Sequence, residues 1–175
     1  MKNVILIGFM GSGKSTIGRK LSDKYGLKHI DTDWYIEKEQ NKKISDIFSE
    51  KGEEYFRNLE TECIKTLIDK YKDNAVVSVG GGLPVKEANR ELLHTLGTVV
   101  YLKADVSTLE ARLSGDKKRP LLKGGDLHEK IVSLMEKRQA IYEQTADFIV
   151  ETDGLQCIDV VKIIKEEIDN ENIGN

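Results

Sequence analysis

The sequence predicts an α/β fold: a parallel β-sheet with helices on both faces, in three α/β/α layers. Three observations carry that expectation. Apolar, β-branched runs recur at residues 4–7, 29–31, 76–79, 98–102 and 147–150, separated by helical patterns, and strands that alternate with helices pair in parallel. The leading run is apolar without a break, as a strand buried on both faces must be. Glycine- or acid-bearing stretches follow three of the runs, at the carboxyl ends of the strands, where open α/β sheets carry their ligands.

The 175 residues, 39% of them hydrophobic, suit one domain over 1–175 with a proper core. Charged residues make up 33%, mixed in sign, with a net charge of -3, which argues against a surface that coats nucleic acid. No run approaches the ~18 consecutive apolar residues of a membrane span. A core strand opens almost at once, so no leader peptide is expected. Cys63 and Cys157 stand far apart and read as small buried residues of a reducing compartment, not as a disulfide or metal pair. His29, His94 and His128 show no metal-ligand spacing. The expected location is the cytoplasm.

The first strand leads into Gly8-Phe9-Met10-Gly11-Ser12-Gly13-Lys14-Ser15-Thr16 and then a helix. Strand, glycine loop and helix form the context of a P-loop, and the spacing matches without a mismatch. Glycines let the backbone N–H groups turn inward around phosphates. Lys14 brings positive charge to the outer phosphates, Ser15 offers a hydroxyl to Mg²⁺, and the helix N-terminus favours an anion. Nucleoside triphosphate binding follows; the loop alone does not separate a kinase from a GTPase, a motor or a switch.

The second strand ends in Asp31-Thr32-Asp33. If the extended backbone persists, both acids share a face, one suited to metal-bound water and the other to a substrate hydroxyl. Helix capping is the competing explanation, and it accounts for Asp33 but not Asp31. Residues 33–60 read as a polar helical segment that binds substrate. Within it a helix opens at Gly52, with Phe56, Leu59, Cys63 and Leu67 inward. Glu53 and Glu60 are spaced to hold the Arg57 guanidinium. By itself that trio reads as a surface ion-pair ladder. Gly80-Gly81-Gly82 follows the third strand and allows either a ligand against bare backbone or a sharp turn.

After the fourth strand comes a helix over 107–113, then a basic, glycine-bounded segment at 114–125 containing Arg119-Pro120-Leu121-Leu122. It reads as a lid, since a phosphoryl donor must be shielded from water. In the next helix Asp126 and Glu129 have the spacing of an N-cap box, and Leu127, Ile131, Leu134 and Ile141 mark the apolar stripe. Arg138 falls on that stripe. A core-facing arginine meets either a buried acid or a ligand's carboxylate, which its fork matches. The tail over 169–175 is polar and is expected to fray.

In order, GFMGSGKST, DTD, GEEYFR with Glu60, VGGG, RPLL and RQAIY make a series that resembles the shikimate kinase family over nearly the whole chain. The resemblance implies transfer of the γ-phosphoryl group of ATP to the 3-hydroxyl of shikimate, in aromatic amino-acid synthesis. It implies a five-stranded sheet in the order 2-3-1-4-5, as in nucleoside monophosphate kinases; a monomer with no nucleic-acid or membrane partner is expected. By the same resemblance Gly11, Ser12, Gly13, Lys14, Ser15 and Thr16 bind nucleotide, and Ser15 and Asp31 hold Mg²⁺, the latter through water. Asp33 engages the shikimate hydroxyls and is a candidate base. Arg57 and Arg138 clamp the carboxylate with support from Glu60, while Gly80, Gly81 and Gly82 line the pocket. Arg119 reaches the transferring phosphate and Arg112 flanks adenine. Two departures stand out: Ala140 replaces the family's usual proline, and residues 152–156 align poorly, leaving Leu155 and Gln156 without a role. The rivals are a similarly folded kinase acting on gluconate or a nucleoside monophosphate, and a nucleotide-dependent switch without chemistry.

Overall fold

Alternation within a continuous apolar run sorts the side chains of the first strand, β1 (Val4–Ile7), into two cores. Ile5 and Ile7 enter one and Val4 and Leu6 the other, and all four are fully buried. The structure is a computed structural model describing residues 1–114 and 125–173. The expected lid over 114–125 therefore lies almost wholly outside the described residues, and Arg119 with it.

The elements follow the predicted alternation. After β1 come α1 (Lys14–Tyr25), β2 (Lys28–Asp31), α2 (Thr32–Gln40), α3 (Ile44–Lys70) and β3 (Ala75–Ser78). A short 3₁₀ turn (Leu83–Val85), α4 (Glu87–Leu96), β4 (Thr98–Lys103), α5 (Val106–Leu113), α6 (Leu127–Thr145), β5 (Phe148–Glu151) and α7 (Cys157–Ile173) complete the chain. All strand pairings are parallel, in the order β2-β3-β1-β4-β5. Helices α1 and α7 supply Ile17, Leu21, Val160, Val161 and Ile164 to one core. Helices α2 to α6 cover the opposite face, where Ile36, Phe56, Leu93, Leu109 and Tyr142 pack. Among the described residues no helix is long and apolar enough to cross a membrane.

Three local features refine the sequence reading. Backbone at Gly52 leaves the helical region (φ 83°, ψ 173°), so α3 is two helical segments and the second opens at Glu53. Along α6 the buried positions are Ile131, Met135, Arg138, Tyr142 and Thr145, while Leu134 and Ile141 are only partly buried. The stripe is thus turned by one position from the expected one, and Arg138 still lies on it. Helix α7 continues through Asp169 to Ile173, with Lys165 paired to Asp169 one turn on and Ile168 buried against the α1 side; the last two residues of the expected polar tail lie outside the described residues.

Candidate active site

The P-loop follows from the sheet. Gly8 leaves β1 with φ +141°, and a Cβ there would lie 2.7 Å from the Leu102 carbonyl oxygen of β4. Only glycine lets the chain turn this close to its neighbour strand. Buried Lys14 arches back, its Nζ donating to the Gly8 and Phe9 carbonyl oxygens at 2.9 Å each. A cavity of about 430 Å³ lies over this loop. It is lined by Gly11, Ser12, Gly13, Lys14, Ser15 and Thr16, by Asp31, Asp33, Gly80 and Gly81, and by Arg112, Thr152, Leu155 and Cys157. Arg112 also donates to the Gly11 carbonyl oxygen at 3.1 Å. The poorly matching 152–156 stretch therefore reaches the cavity through Thr152 and Leu155, and Cys157 is half-buried, lining the cavity while packing against the edge of the α1 and α7 core.

The acid pair corrects the sequence reading. The backbone does not stay extended past Asp31, because α2 starts at Thr32. Asp31, not Asp33, caps that helix: its Oδ1 accepts from the Asp33 and Trp34 backbone N–H groups at 3.1 and 3.3 Å. Its other oxygen accepts from Ser15 Oγ at 2.6 Å. One carboxylate thus joins the helix N-terminus to the P-loop hydroxyl. Asp33 sits in the first turn of α2 and still lines the cavity.

Around the glycine run, the absent side chains are replaced by functional groups of the protein itself. A Cβ on Gly80 would come 2.6 Å from Asp33 Oδ1 and 3.0 Å from Glu60 Oε1. On Gly82 it would meet the Arg57 guanidinium at 2.4 Å, and on Gly81 the Gly8 carbonyl oxygen at 3.2 Å. The glycines therefore let an acid, a guanidinium and the P-loop backbone converge. Gly80 and Gly81 line the cavity; Gly82, Arg57 and Arg138 are not among its lining residues. The Gly80 N–H donates to Thr32 Oγ1 at 3.0 Å.

Glu53 and Glu60 do hold Arg57, at 2.8 and 2.7 Å. Burial disfavours the Arg57 charge, but Glu60 and Glu53 outweigh it and raise the pKa above its ordinary value. Glu60 is fully buried, and burial pushes its carboxyl up to about 7 despite Arg57, with Asp33 adding to the rise and Arg138 opposing it. The direction follows from the asymmetry of the pair: the Arg57 side chain keeps 17% exposure and the Glu60 side chain 1%. Arg138 is 6% exposed, and its Nη1 has no hydrogen-bond partner among the described residues; the same is true of Glu60 Oε1. A buried, unpaired guanidinium N–H is costly, so a ligand anion is the natural complement.

Sequence reasoning missed two residues. Tyr142 Oη donates to the Gly81 carbonyl oxygen at 2.5 Å and adjoins Arg138. Ser78 Oγ donates to the Lys14 carbonyl oxygen at 3.0 Å and faces His29 Nε2 at 3.1 Å, beneath Gly18. Tyr142 lies in the quoted RQAIY stretch, four residues after Arg138, so helical spacing was a usable signal; Ser78 offered none.

A P-loop on the central strand, acids at the neighbouring strand end, and one half-buried and one buried guanidinium group beyond the glycine run define an ATP-using small-molecule kinase. The family model for shikimate kinase matches residues 10–169. A shikimate kinase of Persephonella marina is 45% identical over 164 residues, covering 94% of this chain and 97% of its own. The solved shikimate kinase of Acinetobacter baumannii in complex with shikimate superposes with a TM-score of 0.92 at 33% identity, covering 98% of this chain and 94% of its own. That of Aquifex aeolicus gives 0.84 at 36%, covering 99% of each. The chain belongs to the shikimate kinase family.

Proposed function

We propose that the protein transfers the γ-phosphoryl group of ATP to the 3-hydroxyl of shikimate, with the residue roles that follow. One juxtaposition supports them: Asp33 and Glu60 meet across Gly80, Arg57 lies against Gly82, and Gly81 touches the P-loop backbone. An acceptor held there has its hydroxyl near an acid and its carboxylate near the guanidinium groups, next to the phosphate loop.

Lys14 and the loop N–H groups hold the phosphates, and Arg112 borders the base. Asp33 accepts a hydrogen bond from the acceptor hydroxyl and orients its oxygen toward the γ-phosphorus. Arg57 and Arg138 fork the carboxylate. Arg119, outside the described residues, is assigned to the transferring phosphoryl group by its RPLL context. Catalysis is then mostly positioning and charge neutralisation.

The donors at the P-loop fit Mg²⁺. Ser15 Oγ and the Asp31 carboxylate are hard oxygens facing one cavity, and among the described residues no cluster of three or more His, Cys, Asp or Glu forms an all-protein cage. That donor set suits an ion that retains waters and binds phosphate. When bound, Mg²⁺ would offset charge on the phosphate oxygens; Ser15 would ligate it and Asp31 would hold its water. The enzyme is proposed to act as a cytoplasmic monomer.

The test is ADP formation from ATP with different acceptors. Shikimate should stimulate it strongly, and gluconate and nucleoside monophosphates should not. Equal stimulation by a nucleoside monophosphate would contradict the assignment.

A further inference from the structure

Glu60 is fully buried, yet only one of its oxygens is used. Oε2 accepts from Arg57 Nη1 at 2.7 Å, and Oε1 has no partner among the described residues. Oε1 also points toward the point shared with Asp33, 3.0 Å from where a Gly80 Cβ would sit, with Asp33 Oδ1 2.6 Å from that same point. The groups that act on Glu60 are Arg57 on α3, Asp33 on α2 and Arg138 on α6, and Glu60 in turn acts on Cys63 of α3 and Tyr142 of α6. Burial pushes the Cys63 thiol and the Tyr142 phenol each up to about 12, so neither exchanges a proton near neutrality.

Arg57 is already committed to Glu60 and Glu53. A substrate carboxylate docking on Arg57 and Arg138 adds a negative charge and takes a share of that guanidinium. Glu60 is then a buried carboxylate with less compensation, beside a second acid. A buried charge that loses its partner is neutralised by a proton rather than left bare. We infer that Glu60 is a proton-loading residue: docking of the substrate carboxylate transfers a proton from solvent to Glu60 Oε1, forming an O–H bond there. The neutral acid keeps its carbonyl oxygen for Arg57, and the new O–H is a donor on the side that faces Asp33. Glu60 here is a positioning residue that preserves the clamp's charge balance, and the inference rests on reading Arg57 and Arg138 as the carboxylate site.

Because Glu60 in the free enzyme titrates near 7, uptake must be small at pH 6, where the proton is already present, and grow above neutrality. Affinity for shikimate then weakens by up to about tenfold per pH unit in the alkaline range. The direct test is calorimetric titration of shikimate into the full-length enzyme without ATP. It is run at pH 7.5 in phosphate and in Tris, whose ionisation enthalpies differ. Wild type should take up roughly half to one proton per shikimate bound, and Glu60→Gln should bind with no buffer-dependent heat. Buffer-independent heat in wild type overturns the inference even if Glu60→Gln fails to bind or fold. Uptake that survives in Glu60→Gln places the proton elsewhere and also overturns it. No shikimate binding by wild type would instead defeat the carboxylate-site reading itself.

Discussion

Arg138 was legible because a guanidinium on an apolar helical stripe has few uses, and its buried Nη1 still has no partner among the described residues. Under the proposed clamp, Arg138→Lys loses the fork and should raise the KM for shikimate about 10- to 100-fold, leaving the KM for ATP unchanged. Asp33→Asn should lower kcat by about 10²- to 10⁴-fold while nucleotide titration shows ATP binding intact. Glu60 adds a pH signature to stability. Its carboxyl stands at about 7 in the folded chain against an ordinary 4.5, so between those values the folded state holds the extra proton. Stability therefore falls as pH rises through that window, on the order of 3 kcal/mol. Denaturant titrations should show the fall in wild type and a flatter profile in Glu60→Gln; parallel profiles would contradict the burial argument. Asp31 shows where residue-level reading failed. Two acids two positions apart look alike, and which one caps depends on whether the helix begins at Thr32, a choice made by backbone that composition does not reveal.

Elements were read mainly from periodicity, and strand limits lie within one residue of expectation because both faces of the central strands are apolar. What periodicity does not reveal is how closely two elements approach. A Cβ on Gly18 of α1 would sit 2.6 Å from Ser78 Oγ on β3 and 2.7 Å from His29 Nε2 on β2. Gly18→Ala must push α1 away from the sheet, and overpacking of this kind costs about 1–3 kcal/mol. Because α1 carries Lys14 and Ser15, the substitution should lower the melting temperature and raise the KM for ATP more than that for shikimate. A variant with wild-type stability and nucleotide affinity would show that the helix accommodates the methyl group without moving.

At the scale of the molecule, continuous apolar runs separated by helices justified a parallel sheet covered on both faces. The strand order came only with the family resemblance, because local sequence does not say which strand lies beside which. The site owes its assembly to that order. With β1 between β3 and β4, the P-loop leaves the sheet next to the glycine run that follows β3, and Asp33 and Arg57 reach the same place from α2 and α3. The central claim is that this convergence grips a hydroxylated carboxylic acid beside the phosphate loop. A crystal structure of the enzyme with shikimate bound measures it most directly. The account predicts the carboxylate forked between Arg57 and Arg138 with the 3-hydroxyl on Asp33; a carboxylate seated away from both arginines, or a 3-hydroxyl turned from Lys14, would contradict it.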